Sequence, residues 1–116
     1  MRAPYTDLQL FKAEFFRALA HPVRIRLLEE LRSGPRTVQE LQDALGLDQP
    51  PVSQQLAVLR AKSLVVASKA GTSVRYAVRD PLVHDLLAVA RAIFNHRLVD
   101  TRAMLKELQR EARRVS

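Results

Sequence analysis

Between Gln49 and Arg79 the chain carries two kinds of side chain suited to the same polymer. Gln49, Ser53, Gln54 and Gln55 are polar and uncharged, and five cations, Arg60, Lys62, Lys69, Arg75 and Arg79, follow with no Asp or Glu among them. Amides and hydroxyls donate to and accept from base edges in a major groove. Lys and Arg hold phosphates, which fix position without reading sequence. Double-stranded DNA is the partner that uses both.

A second set of side chains has the chemistry of metal ligands. His84, Asp85, His96 and Asp100 lie within one stretch, and imidazole with carboxylate suits nickel, zinc or cobalt. His84 and His96 are 12 residues apart, about 18 Å along a helix. One chain cannot bring both to one ion, whereas two antiparallel copies could. Histidines hydrogen-bonded to their neighbours are the simpler reading. The chain has no cysteine, which removes disulfides, thiolate metal sites and cysteine nucleophiles together. It also has no glycine-rich phosphate loop, no nucleophile with a base beside it and no carboxylate pair on a recognisable scaffold, so an enzyme is not expected.

The elements that must position these groups follow from periodicity. Leu8, Phe11, Phe15 and Leu19 recur at helical spacing behind Asp7, a candidate cap. His21-Pro22 interrupts that helix, and Pro22 suits the first turn of a second, continued by Val23, Leu27, Leu28 and Leu31 and ended at Ser33-Gly34-Pro35. His21 reads as a cap or a packing residue. Thr37 and Glu40 form a capping box for a third helix with the face Val38, Leu41, Ala44 and Leu45, closed by Gly46. A fourth runs from about Pro50 to Lys62 over Val52, Leu56 and Leu59. The period then changes to two. "VVASK" and "VRYAV" read as strands around "AGTS", with Val74, Tyr76 and Val78 packing and Arg75 and Arg79 on a basic face. Asp80-Pro81 opens a long last helix whose apolar stripe includes Val83, Leu86, Leu87, Ile93, Phe94, Leu98, Leu105 and Leu108. A domain this small cannot cover such a stripe, which points to a second copy of the chain.

The fold class is therefore mainly α with a small β-hairpin, in the order four helices, two strands, one helix. Its 116 residues read as a single domain, 1–116, with the DNA-reading part at about 37–79 and pairing helices at about 7–20 and 81–113. Helices three and four, joined by a short turn and followed by a basic hairpin, make a winged helix-turn-helix. The formal charge of +7 (19 basic against 12 acidic residues) agrees with a polyanionic partner.

"LAHPVRIRLLEEL", "TVQELQDALGL", "QPPVSQQLAVLRAKSLV" and "AGTSVRYAV" occur in the order and spacing of the ArsR/SmtB family of bacterial winged-helix repressors, which the chain resembles over about residues 8–98. The resemblance implies a homodimer built through the first and last helices, with Phe11, Phe15, Leu86, Ile93, Leu98 and Leu105 at its seam, on an inverted-repeat operator. It implies that Gln49, Ser53, Gln54 and Gln55 face the operator. A wing of about Lys69 to Arg75, with Thr72 and Ser73 at its tip, would grip the flanking backbone. The two reading helices should then sit about 34 Å apart.

Many proteins of that family release DNA on binding metal, and their ligand patterns can be laid on this chain. A pattern like Glu-Leu-Cys-x-Cys falls on Glu40-Leu41-Gln42-Asp43-Ala44, without either thiolate. The pattern on the last helix falls on Asp80, Leu82, Ile93 and His96, and leucine and isoleucine bind no cation. The expected signal is thus a non-cysteine site or a partner protein acting as co-regulator. A nickel, zinc or cobalt sensor using His84, Asp85, His96 and Asp100 is the alternative. A reading from another class is a protein-interaction module working through the last helix. No apolar run spans a bilayer and the start "MRAPYTDLQLFK" is no signal peptide, so no membrane partner and a cytoplasmic location are expected.

Overall fold

Reciprocal caps set where the helices begin. In the computed structural model, which describes residues 3–115, helix α1 is Asp7–Leu19 and its cap is Thr6 rather than Asp7. The Thr6 hydroxyl accepts from the Gln9 backbone N–H at 3.1 Å, and the Gln9 side chain accepts from the Thr6 N–H at 2.9 Å. Gln9 stands three residues after Thr6, the spacing that lets such a box close. Asp7 is left in the first turn, where its charge faces the positive helix end. Helix α2 (Pro22–Glu30) has His21 as its cap, with Nδ1 accepting from the Val23 N–H at 3.1 Å. A 3-10 turn, Leu31–Ser33, follows.

Two extended residues, β1 (Arg36–Thr37), then lead directly into α3 (Val38–Leu45). Thr37 caps α3 through a full box with Glu40. Hydrogen bonds from the Thr37 backbone and side chain hold the Glu40 carboxyl below its ordinary value, with the Arg75 and Arg36 charges acting in the same direction. A depressed carboxylate contributes stability above its unfolded value and loses that contribution as pH falls through its folded value. Glu40→Gln keeps an acceptor for the cap but cannot titrate. Its melting temperature is expected to fall less steeply than that of the parent below about pH 4, as thermal unfolding at stepped pH will read.

Gly46, at φ 66°, closes α3 in the left-handed conformation. Helix α4 (Gln49–Ala61) begins one residue before Pro50. It ends in a Schellman pair, with Ser63 N–H bonded to Arg60 O at 3.0 Å and Leu64 N–H to Leu59 O at 2.9 Å. Ser63 carries φ 59°, the one non-glycine residue in that region among those described.

Helices α2, α3 and α4 close on one another around Leu27, Leu28, Leu41, Val52, Leu56 and Leu59, each at most 1% exposed. Ala44 is not part of this core but exposed. It lies one residue short of Leu45 and about 100° round the helix, which turns its small methyl to solvent.

Strands β2 (Val65–Ala70) and β3 (Ser73–Val78) pair antiparallel from Val65↔Val78 to Ala70↔Ser73. Gly71, at φ 67°, makes the two-residue turn with Thr72. Two expectations about this hairpin need correction. The sheet has three strands, ordered β1-β3-β2, because β1 adds Arg36↔Tyr76 and Thr37↔Arg75 to the outer edge of β3. A run of two residues is too short to show a period of two in sequence. The strict in-out alternation along β3 is also absent. Ser73, Val74 and Arg75 are exposed and Tyr76, Ala77 and Val78 half-buried, because burial here follows distance from the turn rather than sheet face.

Up to Pro81 the chain is one compact unit, and the residues from Leu82 on form another. The second is helix α5 (Leu82–Val115), 34 residues or about 51 Å long. Leu86 is half-buried, whereas Ile93, Phe94, Leu98, Met104, Leu105 and Leu108 are each more than half exposed. Among the described residues no helix is long and apolar enough to cross a membrane.

Candidate nucleic-acid interface

Helix α4 buries Val52, Leu56 and Leu59, and that choice turns the rest of its circumference outward. Gln49, its first residue, and Gln54 are exposed; Ser53 and Gln55 are half-buried. The two glutamines are neighbours on a helix and so diverge by about 100°. The structure gives them different surroundings. Gln54 is open to solvent. Gln55 lies at the edge of the packed stripe, where its Oε1 accepts from Arg24 Nη1 at 2.9 Å.

Arg24 has no local signal in the sequence, since its partner lies 31 residues away. Besides Gln55 it donates from Nε to the Ala18 carbonyl at 2.7 Å and from Nη2 to the Arg17 carbonyl at 3.3 Å. These carbonyls belong to the last turn of α1, where the Arg17 oxygen also accepts from the Ala20 N–H at 3.1 Å. Two more arginines behave alike. Arg26 donates to the Leu45 carbonyl at the end of α3, and Arg36 to the Glu30 carbonyl at the end of α2, both at 3.2 Å. A guanidinium beside a helix carboxyl end meets both its free acceptors and its negative dipole. These three cations therefore brace helix ends. Arg24 and Arg36 are half-buried, whereas Arg26 is exposed, as are Arg60, Lys62, Lys69, Arg75 and Arg79.

Arg60 and Lys62 close α4, and the hairpin carries Lys69, Thr72, Ser73 and Arg75, all exposed. Arg75 also lies within the electrostatic reach of Glu40, an acidic influence on the hairpin that sequence order conceals. The unit thus offers one polar helix edge and one cationic, hydroxyl-tipped hairpin.

The other candidate residues fall elsewhere. Phe11 is 72% exposed on α1, and Phe15, half-buried, stacks edge to face on Phe16 at 5.6 Å. Ile93, Leu98 and Leu105 are 52%, 66% and 53% exposed on α5. His84 is half-buried and Asp85, His96 and Asp100 are exposed. Among the described residues no group of three His, Asp or Glu is placed to hold a metal.

Comparison with known proteins agrees with the helix-turn-helix and its wing. Residues 21–66 match the model of the family described as bacterial regulatory protein, arsR family. The HTH-type transcriptional regulator Rv0081 of Mycobacterium tuberculosis is 44% identical over 103 residues, 88% of this chain and 90% of that one. Its crystal structure superposes with a TM-score of 0.76 at 43% identity, covering 83% of this chain and 97% of that one. The homodimeric winged helix-turn-helix DNA-binding domain of a possible ArsR-family regulator from Mycobacterium bovis gives a TM-score of 0.70 at 28% identity, covering 84% and 94%. A probable mercury resistance operon repressor of Streptomyces lividans is 43% identical over 81 residues, 70% of this chain and 65% of the relative.

Proposed function

Because the chain belongs to the ArsR family of bacterial DNA-binding transcriptional regulators, we propose that it represses transcription as a homodimer on an inverted-repeat operator. Each copy lays α4 in a major groove and its β2–β3 wing along the flanking backbone. The observation that carries this reading is the exposed edge from Gln49 to Arg79, with base-matching side chains at one end, phosphate-matching ones at the other, and no acid in its sequence. Gln54 and Gln49 are the exposed base readers, with Ser53 beside them. Lys69, Thr72, Ser73 and Arg75 hold phosphates, as do Arg60 and Lys62.

Pairing through α1 and α5 is supported by what those helices leave uncovered. Phe11 on one and Ile93, Leu98 and Leu105 on the other are large, apolar and more than half exposed, and a second copy is the simplest cover. The homodimeric M. bovis domain of similar fold supports the same assembly. The complex works in the cytoplasm, where the operator lies. Its effector acts through a non-cysteine site or a co-regulator protein. A divalent-metal response through His84, Asp85, His96 and Asp100 would need ligands from two copies, since His84 and His96 lie about 18 Å apart on one straight helix.

The test is selection of duplexes from a random library by the purified protein, repeated with nickel, zinc or cobalt present. The expected product is a palindromic motif. Gln54→Ala is expected to lower discrimination between that motif and random duplex by about 1–3 kcal/mol in each half-site, the worth of a good base contact. Arg75→Ala, which removes one contact from each copy, should instead weaken both duplexes alike and reduce the salt slope by up to about 1.8. Selection of no duplex at all, with or without metal, would reject the reading.

A further inference from the structure

The bond between Arg24 and Gln55 decides which half of the glutamine amide another molecule can use. A guanidinium donates five N–H groups and accepts nothing, so the amide atom it meets must be the oxygen. The orientation of the Gln55 amide, which its own outline leaves ambiguous, is thereby fixed. Arg24 is itself fixed: the same guanidinium holds the Ala18 and Arg17 carbonyls at 2.7 and 3.3 Å. Rotating Gln55 away would strand a charged donor that is already half-buried.

A free glutamine pairs with adenine by accepting from N6 while donating to N7. Gln55 has its amide held from flipping and one lone pair of its oxygen taken by Arg24, so it offers its two NH2 hydrogens ahead of the one lone pair that remains. We propose that Arg24 is a specificity-positioning residue that makes Gln55 act chiefly as a donor, so that Gln55 reads an acceptor edge in the major groove. Guanine, with N7 and O6, and thymine, with O4, satisfy it; cytosine, which presents its N4 donor there, opposes donor to donor. Gln54, one residue earlier and exposed, keeps both halves of its amide. Two adjacent glutamines therefore read by different rules. This inference rests on α4 being the reading helix.

The experiment is selection from a random duplex library by the full chain, followed by competition among operators changed at one base pair. The parent is expected to show one position in each half-site at which guanine or thymine is preferred to cytosine by about tenfold, the worth of one or two hydrogen bonds. Gln55→Glu keeps a partner for Arg24 but offers only acceptors. Within that variant the preference at the same position should reverse toward cytosine, whatever happens to overall affinity. Arg24→Met frees the Gln55 oxygen, and adenine should rise there to equal the best base.

A merely structural role for Arg24 would lower affinity for all duplexes and leave the order of bases intact, and that result overturns the inference. Should Arg24→Met fail to fold, Gln55→Glu decides alone, and an unchanged base order at every position defeats the proposal. The two levels separate through Gln54→Ala. If that variant alters the motif while Gln55→Glu does not, only the donor assignment fails. If neither alters it, α4 is not the reader.

Discussion

Raising salt from 50 to 200 mM is expected to weaken operator binding by roughly three to five orders of magnitude. Each chain exposes Arg60, Lys62, Lys69, Arg75 and Arg79 on the unit that carries α4, and two copies double that number. Six to ten phosphate contacts displace as many condensed counterions, and the logarithm of affinity then falls with a slope of about −0.9 per contact. The formal +7 is a poor guide to this number. Arg24, Arg26 and Arg36 donate to main-chain carbonyls, and Arg75 shares the field of Glu40. The slope is accordingly expected to stay within what the ten exposed cations supply, at most about −9. Fluorescence anisotropy on a labelled duplex over a salt series reads it directly. A slope weaker than about −2 would take the basic edge off the DNA and favour a module that works by apolar helix pairing, which responds little to salt.

The second large effect is on stability. Leu56 is 1% exposed, between Val52 and Leu59 on the buried stripe of α4. Leu56→Ala removes apolar volume from a place where α2, α3 and α4 all press, so little collapse can refill it. The expected loss is about 2–5 kcal/mol, a large part of the roughly 5–15 kcal/mol that holds a domain together. Urea denaturation measures it, with Gln54→Ala as the comparison, since an exposed side chain two residues away should change stability by less than about 0.5 kcal/mol. A loss under about 1 kcal/mol for Leu56→Ala would mean that the packed face of α4 has been misidentified.

Much of this architecture can be read from the chain because it is written in local signals. Thr37 and Glu40 mark the start of α3 by their spacing, Gly46 marks its end by its conformation, and Pro22 marks the first turn of α2. The apolar spacing of Val52, Leu56 and Leu59 sets the buried side of α4 and therefore its free side. Features that depend on distant partners are not legible in that way. Strand β1 is two residues long and exists because β3 lies beside it. The helix-end role of Arg24 and its hold on Gln55 join residues 31 positions apart. Ser63 was silent for another reason: serine gives little warning of a left-handed residue, and its conformation is set by the Schellman bonds to Arg60 and Leu59. At the candidate interface, residue types and the lack of acids are visible in the sequence. The unequal standing of Gln54 and Gln55 is not, because it depends on Arg24.

Thr37 takes part in two elements at once. It pairs with Arg75 in the sheet and its hydroxyl caps α3, so the hairpin is fastened to the helix that seats α4. The consequence falls on the promoter rather than on the protein. With α4 in a groove, a hairpin held at a constant offset meets phosphates at that offset beside any half-site, and phosphates are the same whatever letters they join. Regulatory DNA under such a pair would be free to drift in its flanks, with selection falling on the few letters beneath the helix.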